Sequence, residues 1–292
     1  MEQLIQQIVN GLALGFIYAL IALGYTLVYG IIRLINFAHG DIIMVGAYIA
    51  LFSYLLLGFG FLPSLLIAMV LCSILGVTIE RIAYRPIREA PRITALITAI
   101  GVSFLLEYSF QLFFGPQQRA FPEFIKTRYF KLGLLSVTNE QLLILGVAIF
   151  LMLILNYIVM KTKTGMAMRA VSFDKDAARL MGINVDNTIS ITFAIGSSLA
   201  AAAGMLLGMY YQQIDPLMGF TPGLKAFISA VIGGIGSIPG AMVGGLVLGI
   251  TEVFVVSIGY STLKDGVAFL LLILVLLIRP RGIFGEKVVE KV

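Results

Sequence analysis

Tryptophan is absent from this 292-residue chain, and cysteine and histidine occur once each, as Cys72 and His39. One thiol cannot close an internal disulfide. Cys72 lies in an apolar run, so a buried, inert thiol is expected. One histidine cannot build a metal site and makes a poor proton relay, so no metal is expected. No Gly-x-x-x-x-Gly-Lys-Ser/Thr segment occurs, nor any Gly-Lys dipeptide, which excludes a phosphate-loop ATPase. No serine nucleophile elbow is present either, so a membrane enzyme is disfavoured and no cofactor is implied. Charge is also scarce. Charged residues make up 12% of the chain, against about 25% in soluble domains.

Apolar residues take the place of charge, at 60% of the sequence with a mean hydropathy of +1.02. Every long polar stretch is shorter than the roughly 50 residues a separate soluble domain needs. Apolar runs recur at residues 8–29, 42–57, 62–79, 93–114, 142–160, 189–211, 241–258 and 260–278. A helix needs about 20 such residues to cross a bilayer. The expected fold is an all-α polytopic membrane protein, one transmembrane domain over residues 1–292, with eight or nine membrane segments. The run 42–57 is marginal. The run 226–238 is too short to cross alone and ends in Gly233, Gly234, Gly236 and Pro239. Glycines weaken a helix and proline lacks a donor, so a broken or re-entrant helix is expected there, its freed polar groups covered by protein or a cavity. The N-terminal stretch lacks the basic region of a cleavable signal, so the first run is expected to remain as a span.

Three short segments hold most of the positive charge. They carry Arg81, Arg85, Arg88 and Arg92; then Lys161, Lys163, Arg169, Lys175 and Arg179; then Arg279, Arg281, Lys287 and Lys291. Alternating crossings put all three on one side, which the positive-inside rule makes cytoplasmic. The N-terminus and the segments 115–141 and 212–225 then face outward, and the C-terminus inward. That parity requires an odd number of crossings. The segment 115–141 has four basic residues of its own, so the rule is a majority vote. The net charge of +5 therefore fits cytoplasmic loops and does not imply nucleic acid. Tyr54, Tyr84, Tyr157 and Tyr260 near span ends are candidate interfacial anchors. Glycines spaced by four, such as Gly11–Gly15 and Gly245–Gly249, are expected to let helix backbones approach closely.

The polar residues at membrane depth are the pathway or gate candidates. Arg33, Asn36, His39 and Asp41 lie between the first two spans. They read either as a turn whose Asp41 caps the next helix or as a gate or subunit contact. Glu107 and Glu252 sit within apolar runs and must be neutral, paired or wet. The sequence does not pair them. Gly233, Gly234 and Gly236 complete the set.

The polar stretch 165–185 is helix-prone and too polar to cross. It reads as a rigid amphipathic helix on the cytoplasmic face, with Ala177 and Ala178 as a flat docking patch and Gly182 ending the helix left-handed. Its segment Asp176-Ala177-Ala178-Arg179-Leu180-Met181-Gly182 resembles the Glu-Ala-Ala-x-x-x-Gly loop of ABC importer permeases, with Asp for Glu. The segments Gly15 to Gly30, Ile35-Asn36-Phe37-Ala38-His39-Gly40-Asp41 and Gly233 to Ala241 resemble the signatures of branched-chain amino acid permeases. The resemblance covers nearly the whole chain, and its length suits the shorter, H-type member of the pair. It implies ATPase coupling through Asp176, Ala177, Ala178 and Gly182. It also implies an M-type permease partner, two phosphate-loop ATPase subunits, an external binding protein and a place in the inner membrane. Related permeases carry urea, amides or other amino acids. The rival readings are a secondary transporter or channel that works without ATP and a structural or assembly membrane protein.

Overall fold

The computed structural model describes residues 2–32, 36–88, 90–132 and 135–285. The helices are α1 (Glu2–Ile32), α2 (His39–Leu57), α3 (Phe61–Ile79), α4 (Arg92–Phe114), α5 (Asn139–Lys161), α6 (Lys163–Phe173), α7 (Lys175–Leu180), α8 (Val185–Tyr211), α9 (Phe220–Gly233), α10 (Ile238–Ser257) and α11 (Lys264–Ile278). Among the described residues, eight are long and apolar enough to cross a membrane, and α9 is a shorter apolar helix. Among the described residues, sheet is confined to two small antiparallel pairs. One joins Arg119–Ala120 to Gln213–Ile214, and the other joins Tyr129–Leu132 to Leu135–Thr138.

Local chemistry explains the helix ends. Gly58 stops α2 in the left-handed region at φ 64°, where glycine meets no Cβ penalty. Thr138 and Gln141 form a reciprocal capping box at the start of α5. It satisfies backbone donors that helix geometry leaves free.

The helices are sorted by burial. The span of α1 is 89% enclosed by the rest of the chain, against 6% for the last span. With α8 and the start of α2 it forms the centre, while α3, α4, α5 and α11 expose long apolar faces. The centre closes because its contacts are small. Gly46 sits against Ala201, and Gly204 against the Ile43 carbonyl. Along α1 and α10 the glycines interleave. A Cβ on Gly249 would stand 2.3 Å from the Cα and N of Gly15, and one on Gly11 would stand 2.8 Å from the Cα of Ile250. In lipid such close approach replaces the hydrophobic effect as the adhesive between helices.

These contacts make α10 antiparallel to α1 and fix the two ends of the bundle. At the head end, Gln6 of α1 accepts a bond from the Ser136 backbone at 3.0 Å, and Gln141 donates to Asn10 at 2.8 Å. At the tail end, Gly30 lies beside Gly236, and Gly234 against Gly285. The start of α1 and the described end of the chain are therefore at opposite ends. The chain must return from the end of α8 to the start of α10, and α9 makes that return. Its 14 residues span about 21 Å, less than the roughly 30 Å of a hydrocarbon core.

One connection departs from a simple hairpin. The imidazole of His39 packs against Gly24 and lies 4.6 Å from the Tyr25 ring. Gly24 is eight residues before the end of α1, about 12 Å up its axis. The chain after α1 thus climbs back into the bundle before α2 begins, and His39, Gly40 and Asp41 are all buried. Arg33, read above as part of this polar cluster, lies outside the described residues, as do Lys287 and Lys291.

Candidate functional site

The stretch 165–185 is two helices and not one rigid rod. α6 is capped by Thr162, whose hydroxyl accepts from the Gly165 backbone at 3.1 Å. It ends at Asp174, whose backbone turns extended at φ −154° and ψ 113°. The Asp174 carboxylate accepts from the N–H groups of Asp176 and Ala177, each at 3.0 Å, and so starts α7. This is the usual competition between an Asp side chain and a continuing helix. Gly182 ends α7 with φ +83°. The Ile183 N–H reaches back to the Ala178 carbonyl and the Gly182 N–H to the Arg179 carbonyl, each at 3.0 Å. This pattern is a Schellman motif, and it bears out the expected left-handed stop.

The alanine pair divides. Ala177 faces out, but Ala178 is 4% exposed and packs into the chain's own core. The flat two-alanine patch is therefore not what α7 presents. Its outer surface is Asp176, Ala177, Arg179, Leu180 and Met181, with Leu180 89% and Met181 83% exposed. Phe173 and Met166 of α6 are exposed as well. Sequence reasoning missed these side chains because it looked for small residues. The signal was present in Leu180-Met181 just before the helix stop, at the end of an otherwise polar loop.

Glu252 is paired. Its carboxylate accepts from Tyr18 of α1 at 2.8 Å and from Lys225 of α9 at 2.7 Å. The Lys225 ammonium also lies 2.7 Å from Asp265, and Lys264 lies 3.9 Å from Glu252. Lys225 and Glu252 are each 3% exposed. Lys225 was placed above at the edge of an external loop, which the structure corrects. α9 starts six residues earlier than the apolar run 226–238, because Phe220-Thr221-Pro222-Gly223-Leu224 already forms its first turns.

The other acidic group is different in kind. Asp41 lies beside Ser103 and Glu107 of α4, and all three are buried. Among the described residues neither carboxylate forms an ion pair. Asp41 does not cap α2: the cap position is Ala38, without a side-chain bond, and Asp41 falls in the first turn. His39 lies against the Ile21 backbone. Asn36 accepts a bond from the Tyr84 hydroxyl at 2.7 Å. Tyr84 is 1% exposed and so is not an interfacial anchor, while Tyr157 and Tyr260 are well exposed.

The expected break in the last third of the chain is present. α9 stops at Gly233 and α10 begins at Ile238, with Gly234 at φ +105° and Gly236 at φ +95° between them. A Cβ on Gly233 would stand 1.9 Å from the Gly240 carbonyl oxygen, so the two helices meet at backbone distance. The end of α9 is covered by protein. The carbonyls of Ile232 and Gly233 accept from the N–H groups of Ile283 and Phe284, each at 2.9 Å. Gly233, Gly234 and Gly236 thus lie in or beside one tight turn at the tail end. Asn36, His39, Asp41 and Glu107 lie on the α2 side of the bundle, and Glu252 in the α9–α10–α11 cluster. The structure does not gather the candidates into one cavity.

Comparison with known proteins adds the family. The model described as "Branched-chain amino acid transport system / permease component" matches residues 7–276. The chain is 45% identical to the high-affinity branched-chain amino acid transport system permease protein BraD of Pseudomonas aeruginosa, over 99% of this chain and 98% of that one. It is 44% identical to the corresponding protein LivH of Salmonella typhimurium, over 99% and 97%. A probable branched-chain amino acid transport permease protein LivH of Methanocaldococcus jannaschii is 30% identical over 91% and 88%.

Proposed function

Because this chain belongs to the branched-chain amino acid transport permease family, we propose that it is one membrane half of an ATP-driven importer. It works beside an M-type permease, with two ATPase subunits on the cytoplasmic side and a binding protein outside. The cargo is a branched-chain or similar apolar amino acid. The observation that carries the coupling role is the α7 prominence. Leu180 and Met181 stand almost wholly in solvent on a helix whose start and stop are fixed by Asp174 and Gly182. Exposed apolar side chains on a preorganised support are what a partner groove takes up.

Leu180→Asp and Met181→Asp are expected to leave the chain in the membrane at normal abundance. They should weaken ATPase co-purification and amino-acid uptake about 10-fold or more, since anchor residues at interfaces are worth roughly 2 kcal/mol. Ala178→Glu is a different experiment. It forces a charge into the chain's own core and should lower abundance first. Normal co-purification and uptake with Leu180→Asp would remove α7 from the mechanism.

Orientation has its own test. Cys72 is buried, so an impermeant thiol reagent meets little background. In intact cells Glu123→Cys is expected to label and Lys163→Cys to label only after the membrane is opened. Labelling of Lys163→Cys in intact cells would invert the topology and with it the import reading.

A further inference from the structure

Between α3 and α4 the chain makes a π-helical turn over Glu80–Tyr84 and a 3-10 turn over Arg85–Ile87. π-turns widen the helix and are commonly kept where function needs them. This one is held by the first turns of α8, the helix that follows α7. Asp186 accepts from Arg88 at 2.5 Å and also from Arg85. Arg88 in turn pairs with Glu80, whose other oxygen accepts from Ser190 at 2.6 Å. Glu80 is fully buried, so each of its oxygens is occupied and the turn has little freedom of its own. One turn further along α8, the Phe193 ring lies 5.5 Å from the Tyr84 ring.

The far side of the same turn touches the buried crossover. The Tyr84 hydroxyl donates to the Asn36 side-chain oxygen, and the Asn36 backbone carbonyl accepts from the His39 N–H at 3.1 Å, at the point where α2 begins inside the bundle. Asp186 is four residues beyond Gly182. The Ile183–Ala178 backbone bond and the Asn184 cap join the end of α7 to α8, and the contacts of residues 80–88 carry on from α8 to the start of α2.

We propose that Glu80, Tyr84, Arg88 and Asp186 are positioning residues through which displacement of α7 moves the α1–α2 crossover. The segment 80–88 is the transmitting element, and the Tyr84–Asn36 bond is its output. This inference rests on the importer reading. It adds which interior element the ATPase stroke reaches: the first turn of α2, where His39 and Asp41 are held, and not the α9–α10 turn. Packed side chains joined by hydrogen bonds and ion pairs, as here, are the kind of network that carries coupling between distant sites.

The test uses the complete complex with its ATPase and binding protein in proteoliposomes, with leucine as cargo. ATP hydrolysis and uptake are read in the same preparation. Tyr84→Phe removes the output bond and leaves the ring against Phe193. One neutral hydrogen bond biases an equilibrium roughly 2- to 12-fold. ATPase co-purification and hydrolysis are expected within about twofold of the parent, with ATP consumed per leucine rising about 3- to 10-fold. Asn36→Ala should give the same rise, and the double variant no more than either alone. An unchanged ratio in Tyr84→Phe overturns the inference. So does a parallel fall in hydrolysis and uptake, which marks a merely structural role, and so does additivity in the double variant. A parent complex that neither holds an ATPase nor takes up leucine would instead sink the importer reading itself.

Discussion

Lys225→Ala is expected to be among the most damaging single substitutions in this protein, costing roughly 3–5 kcal/mol of stability. Lys225 holds two carboxylates, Glu252 and Asp265, at 2.7 Å each. Removing it leaves Glu252 buried with only the Tyr18 hydroxyl in contact and the Lys264 ammonium at 3.9 Å. The cost is that of an uncompensated buried charge more than the value of the pair. Glu252→Gln in the same chain is therefore expected to recover most of the loss, because the amide keeps an acceptor for Tyr18 without the charge. The measurement is thermal unfolding of the purified chain in detergent, alongside its abundance in membranes. A single variant within about 1 kcal/mol of the parent, or a double variant no better than Lys225→Ala, would show that the cluster is wet and its charges screened.

Gly249→Ala should do comparable harm by a different route. The added methyl would sit 2.3 Å from the Gly15 Cα and N. Those atoms are backbone on a helix enclosed on nearly all sides, so no side chain can rotate away. α1 and α10 must separate, and every interleaved contact from Gly11 to Gly249 loosens together. Overpacking typically costs about 1–3 kcal/mol, and here the rigid backbone places it at the upper end. Gly146→Ala on α5 is the control, since nothing lies within 4 Å of that position. Helix propensity alone then gives a neutral or slightly favourable change, at most about 1 kcal/mol. Equal behaviour of the two variants in the same unfolding assay would refute close packing as the reason for glycine at 249.

These two sites differ in how much of them a reader of the sequence can see. The small residues at spacing four were visible, and so were the spans, because hydropathy and backbone approach are both written locally along one helix. The break at Gly233–Gly236 was visible for the same reason. The pairing of Glu252 was not, because it depends on α9 lying antiparallel to α10, a relation between helices that no periodicity encodes. The depth of α2 was hidden as well. A polar stretch between two apolar runs reads as a surface loop, whereas here Asn36, His39 and Asp41 return into the bundle and find partners there. Ala178 shows the limit within one motif. Spacing pointed to α7 as the helix proposed to meet the ATPase, but α7 is only six residues long, too short for the pattern to say which of two adjacent alanines turns inward. Tyr84 was misread because a tyrosine near a span end has the same composition signal whether its ring meets lipid headgroups or, as here, a buried asparagine.

The two backbone bonds from Ile283 and Phe284 to the end of α9 also set an order of assembly. The carbonyls of Ile232 and Gly233 emerge from the ribosome some fifty residues ahead of the groups that satisfy them, with all of α10 and α11 between. During synthesis α9 and α10 can meet through their glycines, but the elbow between them stays open until α11 has been laid back across the bilayer and the segment after it has folded under. Insertion of the last helix is thus not a late ornament on a finished bundle. It is the step that closes the elbow, and a chain stalled before it would leave the Ile232 and Gly233 carbonyls without these backbone partners.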